Sequence, residues 1–209
     1  GKAGKEQLER LAPEFGLQVV VSETYDKAAT DLTAEVTKVK QAGVQAVVNW
    51  SIEPAQAIVI KNARQLGLSV PIFQSHGFGN IQYVKAAGAA AEGVVFPMGR
   101  VVVAEALPEK HPQKALLVAY KRAYEARFKE DVSGFGGYAY DALLILSQAV
   151  KAAGAADREK VRAAVEGLKG LTGVSGTFNL SATDHNGLAL DSFELLTVKD
   201  GKFAILGAK

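Results

Sequence analysis

The chain has 209 residues, 48% hydrophobic and 22% charged, and its 24 Lys and Arg stand against 22 Asp and Glu for a formal charge of +2. That balance excludes intrinsic disorder, which needs low hydrophobicity and high net charge, and it excludes a nucleic-acid binder's basic stripe, because cations and acids alternate as in Lys121, Arg122, Glu125 and Arg127. Lys61 and Arg64 cut the longest apolar run far short of the ~20 residues of a membrane span, and the lack of cysteine removes disulfides, thiol nucleophiles and thiolate metal sites together.

Residues 17–21, 44–50 and 69–73 are short apolar runs rich in β-branched residues, and each reads as a buried strand. Between the first two, Leu32, Val36 and Val39 recur at helical spacing, with Thr30 or Asp31 to cap the start and Gly43 to stop the end. Pro54 suits the first turn of the next helix, which carries Ala57, Ile60 and Ala63 and ends at Leu66-Gly67. A glycine-containing loop, Ser75-His76-Gly77-Phe78-Gly79, follows the third strand, and then come a short helix at about 81–87 and a fourth strand at 93–96. Strands that alternate with helices predict an α/β fold around a parallel, doubly wound sheet covered on both faces.

After Pro97 the rhythm changes. Helices at 114–128, 140–152 and 158–168 follow one another with no strand between them, the last capped by Asp157. Glycines at 167, 170, 173 and 176 enclose Leu171 and Val174 and read as a loop. Strands at 176–180, 192–198 and 203–206 close the chain, and Asp200-Gly201 between the last two is a hairpin signal. The stretch from Glu105 to Leu180 holds too little sheet to bury its helices alone, which predicts a partner segment. The chain opens on Gly1, its one methionine is Met98, and no basic start precedes an apolar core, so a removed upstream segment on the order of a hundred residues is expected.

Ligands of open parallel sheets sit beyond the carboxyl ends of the strands. That edge receives Trp50, Ser51 and Ile52 after one strand and Ser75, His76, Gly77 and Phe78 after the next. An indole, an imidazole and a permissive loop are the means to hold a small organic ligand. The same residues fit a plainer role, Trp50 as a sheet-end aromatic and His76 as a capped loop residue. Tyr138 and Tyr140, expected just before a helix and after the flexible Ser133-Gly134-Phe135-Gly136-Gly137, could carry ligand contacts or pack between lobes, and Asp141 could serve as a helix-start acceptor. His76, His111 and His185 lie far apart, so no metal site is expected, and no glycine pattern fits a nucleotide cofactor. Asp184 and His185 are adjacent, but no serine stands on a nucleophile elbow, so a turn is expected there and no enzyme.

Gly1-Lys2-Ala3-Gly4 ahead of a helix, Asp31-Leu32-Thr33, Val39-Lys40-Gln41-Ala42-Gly43-Val44-Gln45-Ala46-Val47-Val48 and Ala63-Arg64-Gln65-Leu66-Gly67-Leu68 follow one another along the first half. Ala90-Ala91-Glu92-Gly93-Val94-Val95, Tyr120-Lys121-Arg122-Ala123-Tyr124-Glu125, Tyr138-Ala139-Tyr140-Asp141-Ala142 and Asp184-His185-Asn186-Gly187 continue the series. In this order they resemble the periplasmic substrate-binding proteins of branched-chain amino-acid ABC importers, over essentially the whole chain.

The resemblance implies a type I periplasmic-binding-protein fold, a two-lobed clamp closing on a small ligand. Residues 1–107 would form the ligand-binding second lobe, 108–182 the returning and incomplete part of the first, and 183–209 the strands that cross back. An N-terminal segment, separate or swapped from another copy, would supply the first-lobe serine and threonine that hold the ligand carboxylate. The implied partners are an amino acid or an aliphatic or aromatic acid and an ABC permease, with no cofactor and no nucleic acid. The implied location is the periplasm or a lipid-anchored extracellular site, which the lack of cysteine also fits. A ligand-sensing regulatory domain of the same fold is the alternative. The family position that often grips the ligand ammonium with an acid aligns with His76, and a contacting tyrosine aligns near Ile52. An imidazole cannot pair with an ammonium as a carboxylate does, so the resemblance leaves simple carboxylates open as ligands.

Overall fold

The computed structural model describes residues 1–207. By contact the chain divides into two compact units, one of Gly1–Pro97 with the chain from Leu195 onward, the other Met98–Glu194.

The first unit opens with helix α1 (Lys2–Leu11) and continues through α2 (Thr33–Gln41), β1 (Val47–Asn49), α3 (Gln56–Gln65), β2 (Ile72–Gln74), α4 (Ile81–Ala87) and β3 (Val95–Met98). Gly43 and Gly67 stop α2 and α3 with φ of 65° and 73°, the left-handed conformation that a side chain resists. β6 (Glu194–Lys199) and β7 (Lys202–Ile205) complete one five-stranded sheet in the order β1-β2-β3-β6-β7. β1, β2 and β3 are parallel, with Val48 opposite Phe73 and Phe73 opposite Val95, whereas β6 and β7 form an antiparallel hairpin. Asp200 and Gly201 turn that hairpin at φ of 52° and 70°, and their N–H groups both donate to the Glu92 carboxylate, at 3.0 and 2.7 Å.

Side chains alternate across a pleated sheet, so this register sorts them into two faces. Ile72, Phe96, Leu196 and Val198 share the buried face, none more than 2% exposed, and Phe203 meets Phe96 there at 5.1 Å between rings. The opposite face is bare: Val48 is 50% exposed, Phe73 39% and Leu195 55%. Helical cover on both faces, which the alternation predicts, is thus absent from one of them among the described residues.

The first expected strand is also corrected. Residues 17–21 take no part in a sheet among the described residues; they line an open groove of about 400 Å³ with Glu9, Ala12 and Pro13, and Leu17, Val19 and Val20 are exposed. Apolar β-branched residues set a preference for extended backbone, but a strand exists only where a neighbouring edge receives its N–H and C=O groups, and among the described residues this run makes no such pairing although β1 stands at the edge of the sheet.

The second unit is helical, with α5 (Lys114–Phe128), α6 (Gly134–Ala153) and α7 (Arg158–Glu166), and its sheet is the two-stranded pair β4 (Leu171–Thr172) and β5 (Thr177–Phe178). Asp157 caps α7 by accepting from Lys160 N at 3.0 Å. The segment expected to be flexible, Ser133 to Gly137, instead supplies the N-cap and first turn of α6. Its glycines serve close packing: a Cβ on Gly137 would stand 2.8 Å from Val174 Cγ1. Asp141 therefore lies inside α6 and not at its start; it is buried and accepts from Val174 N at 2.6 Å and Ser175 N at 2.7 Å. Phe135, Leu143 and Leu146 recur at helical spacing along α6 and are exposed.

Candidate functional site

The carboxyl ends of β1 and β2 bring two loops together. Ser75 is buried, its hydroxyl donates to the Ser51 carbonyl at 2.8 Å, and its Oγ accepts from Gly77 N at 3.3 Å, which caps the 3₁₀ turn His76–Phe78. Gly77 lies against the other loop so closely that a Cβ would come within 2.6 Å of Ile52 Cγ2. A side chain at position 77 would push the loops apart, which is why this contact needs glycine. Above it, Trp50 meets His76 edge to face with 6.2 Å between rings. Trp50 is 42% exposed, and Ile52 and His76 are exposed as well, so the sheet end presents an indole, an imidazole and an aliphatic side chain outward. One face of the indole rests on α1 at Gly4, where a Cβ would collide with the ring at 2.6 Å.

Beneath the loops runs a polar chain. The Tyr25 hydroxyl donates to Asn49 Oδ1 at 2.8 Å, and Asn49 Nδ2 donates to Gln74 Oε1 at 3.0 Å. Burial is the main cause that raises the Tyr25 hydroxyl above its ordinary pKa, against hydrogen bonds to Ser51 and Asn49 that lower it, with the Glu53 charge adding to the rise. Tyr83, in the first turn of α4, donates to the Ile52 carbonyl at 2.9 Å and is raised by burial and then by Glu53. Tyr25, Asn49, Gln74 and Tyr83 were not legible as site residues. The polar ends of the expected strands carried a signal for Asn49 and Gln74; the tyrosines come from segments whose course no periodicity fixes.

Of the expected ligand residues, the structure brings Trp50, Ser51, Ile52, Ser75, His76 and Gly77 to one edge. Phe78 does not belong with them. It is fully buried and packs on Phe96 at 5.2 Å, Tyr83 at 6.2 Å and Phe203 at 6.4 Å, because the 3₁₀ turn directs its ring into the core. Tyr138 and Tyr140 lie on α6 in the second unit, within the helix and not ahead of it. The Tyr138 hydroxyl is 3.8 Å from Met98 Sδ, and Tyr140 packs on Tyr120 at 5.1 Å.

Asp184 and His185 make a turn. Asp184 Oδ1 accepts from Asn186 N and Gly187 N at 3.0 Å, while His185 Nε2 faces Glu166 Oε1 at 3.3 Å. The serine of this turn, Ser181, accepts from Asp184 N at 2.9 Å, so its contact with Asp184 is a backbone bond of the turn.

A family model described as "Periplasmic binding protein" matches residues 1–202. A leucine-, isoleucine-, valine-, threonine- and alanine-binding protein of Pseudomonas aeruginosa is 30% identical over 175 residues, 83% of this chain and 43% of that protein. An extracellular ligand-binding receptor from Rhodopseudomonas palustris HaA2 superposes with a TM-score of 0.91 at 26% identity, covering 98% of this chain and 59% of the receptor. A solute-binding protein of an R. palustris ABC transporter, solved with benzoate, superposes with a TM-score of 0.79 at 22% identity over 98% of this chain and 55% of that one, a likeness of fold alone. The α/β fold is that of the type I periplasmic binding proteins. The chain spans about half the length of the curated relatives it matches.

Proposed function

The chain belongs to the periplasmic binding protein family, a solute-binding and non-enzymatic family, and from that premise we propose that its sheet edge binds a small carboxylate-bearing solute, an amino acid or an organic acid, for delivery to the permease of an ABC importer. The observation that carries this reading is the convergence of the two loops, with Ser75 bonded to Ser51, Gly77 seated on Ile52, and Trp50 and His76 turned outward above them. Trp50 and Ile52 offer apolar contact to the solute body, and His76 and Ser51 offer hydrogen bonds that fix its orientation. In this reading residues 1–107 form the ligand-binding lobe, 108–182 belong to the other and the remainder crosses back. The protein then works in the periplasm or anchored by lipid at the cell surface.

Further chain of the same protein is a partner in this reading. Its support is the bare sheet face at Val48, Phe73 and Leu195, the exposed stripe on α6, and relatives about twice as long. Contiguous apolar surface of that kind marks an interface.

Releasing bound solute by denaturation and identifying it by mass spectrometry tests the function. A stoichiometric small acid or amino acid is the expected result; protein that is empty and saturates with no such compound contradicts it. A fusion that restores the remainder of a full-length relative should abolish binding of a hydrophobic dye to the chain, and undiminished dye binding would count against the covering segment.

A further inference from the structure

β1 is the outermost strand of its sheet, and one of its edges is open among the described residues. Val47 N donates to the Pro71 carbonyl at 3.0 Å and the Asn49 carbonyl accepts from Ser75 N at 3.1 Å, so both residues turn their backbone toward β2. Successive residues of a parallel strand turn their backbone groups to opposite edges. Val48, between them, therefore offers its N–H and C=O to the open side.

Two other segments meet the carboxyl end of β1. Helix α1 begins there, because Gly4 in its first turn lies against the ring of Trp50, the residue that follows β1. The extended stretch that opens with residues 17–21 finishes there too, since the Tyr25 hydroxyl donates to Asn49 Oδ1 at 2.8 Å. That stretch is fastened at its start by Leu17 N on the Ala12 carbonyl at 2.9 Å and near its end by Glu23, paired with Lys38 of α2 at 3.0 Å. Between these points the N–H groups of residues 18–21 have no partner among the described residues.

Paired strands stand about 4.8 Å apart and bond backbone to backbone. The stretch reaches β1 instead through two side chains laid end to end, and a tyrosine joined to an asparagine can bridge about two strand spacings, the width that one inserted strand fills. A helix that leads into a strand of a parallel sheet is the crossover of a βαβ unit, in which the first strand ends where the helix begins. For α1 that place is beside Trp50, on the open edge of β1.

We propose that the segment of the same protein that leads into α1 is a β-strand inserted between β1 and residues 17–21, parallel to both, and that residues 17–21 become a strand only when it is in place. The proposal rests on the reading that further chain of the same protein covers this unit, and it specifies where one piece of that chain goes. Relatives about twice as long supply the length. A strand paired on both edges within a parallel sheet is itself an apolar, β-branched run of about five residues.

Amide hydrogen exchange, read by NMR on this chain and on the longer protein that includes the residues ahead of Gly1, tests the placement. In the longer protein Val48 and every second amide from Gln18 to Val21 should exchange at least about 100-fold more slowly than in this chain, because each gains a ladder bond. Equal exchange in the two proteins overturns the proposal. So does protection in this chain alone that fades on dilution, which places a second copy at the edge. Equal exchange with binding of a hydrophobic dye abolished in the longer protein removes the strand and leaves the covering segment standing; equal exchange with undiminished dye binding removes both.

Discussion

Replacing Phe78 with alanine separates a core residue from a ligand residue. The ring is 0% exposed and lies edge to face with Phe96 at 5.2 Å and Phe203 at 6.4 Å. Truncating a fully buried phenylalanine costs about 3–5 kcal/mol, the lost transfer energy plus the cavity left behind. The two edge-to-face pairs, worth about 0.5–1.5 kcal/mol each, place the expected value in the upper part of that range. For a chain of this length 1 kcal/mol moves the melting temperature by roughly 2–4 °C, so a fall of about 10–20 °C is predicted. Urea unfolding followed by circular dichroism should show a lower midpoint with an unchanged slope, and Phe78→Leu, which keeps more of the volume, should lose much less. Solute affinity, measured where both proteins remain folded, should be nearly the same. A loss of stability below about 1 kcal/mol, no more than an average substitution gives, together with a large loss of affinity would refute the placement of this ring in the core.

Asp141→Ala leaves the N–H groups of Val174 and Ser175 without their acceptor, at about 1–3 kcal/mol for each orphaned donor; Asp141→Asn keeps one oxygen and should lose about half as much, with faster amide exchange at Val174 and Ser175 as the check. Asp184 gives a pH dependence. Its carboxyl is held below the ordinary aspartate value by the backbone N–H groups of Gly187 and Asn186, so the unfolded chain binds the proton more tightly than the folded one. The stabilisation is present above the unfolded-state value of about 4 and is lost as pH falls through the lower folded-state value. Urea midpoints between neutral pH and about pH 2 should therefore drop less steeply in Asp184→Ala than in the wild type, and equal slopes would contradict the turn's dependence on this carboxylate.

Where a residue's role is local, the sequence shows it. Asp200-Gly201 turns a hairpin because both residues accept positive φ, and Asp157 caps α7 because its side chain bonds the backbone three residues on. The helix at Ile81–Ala87 falls where its spacing put it. Where a role depends on what lies across the fold, the pattern misleads. Residues 17–21 have strand composition and yet join no sheet among the described residues, and Gly134 and Gly137 read as a flexible loop when their use is to let α6 approach Met98 and Val174. The gathering of Trp50, Ser51, Ile52, Ser75, His76 and Gly77 at one sheet edge was legible because strand ends in a parallel sheet fix where βα loops meet. Phe78 was misread because direction within a 3₁₀ turn, and not position in the loop, decides whether a ring faces solvent or core. Tyr25 and Tyr83 depend on long-range contacts that no spacing announces.

Trp50 is the one tryptophan of the chain and stands at the proposed edge, so its fluorescence reports directly on solute binding there. Titration with L-leucine, 4-methylpentanoate and benzoate should give a saturable change in emission for at least one of them, and His76→Ala should weaken that binding while leaving the melting temperature in place. Saturable binding by calorimetry with no change in Trp50 emission, and with affinity untouched by His76→Ala, would put the solute elsewhere and contradict the site.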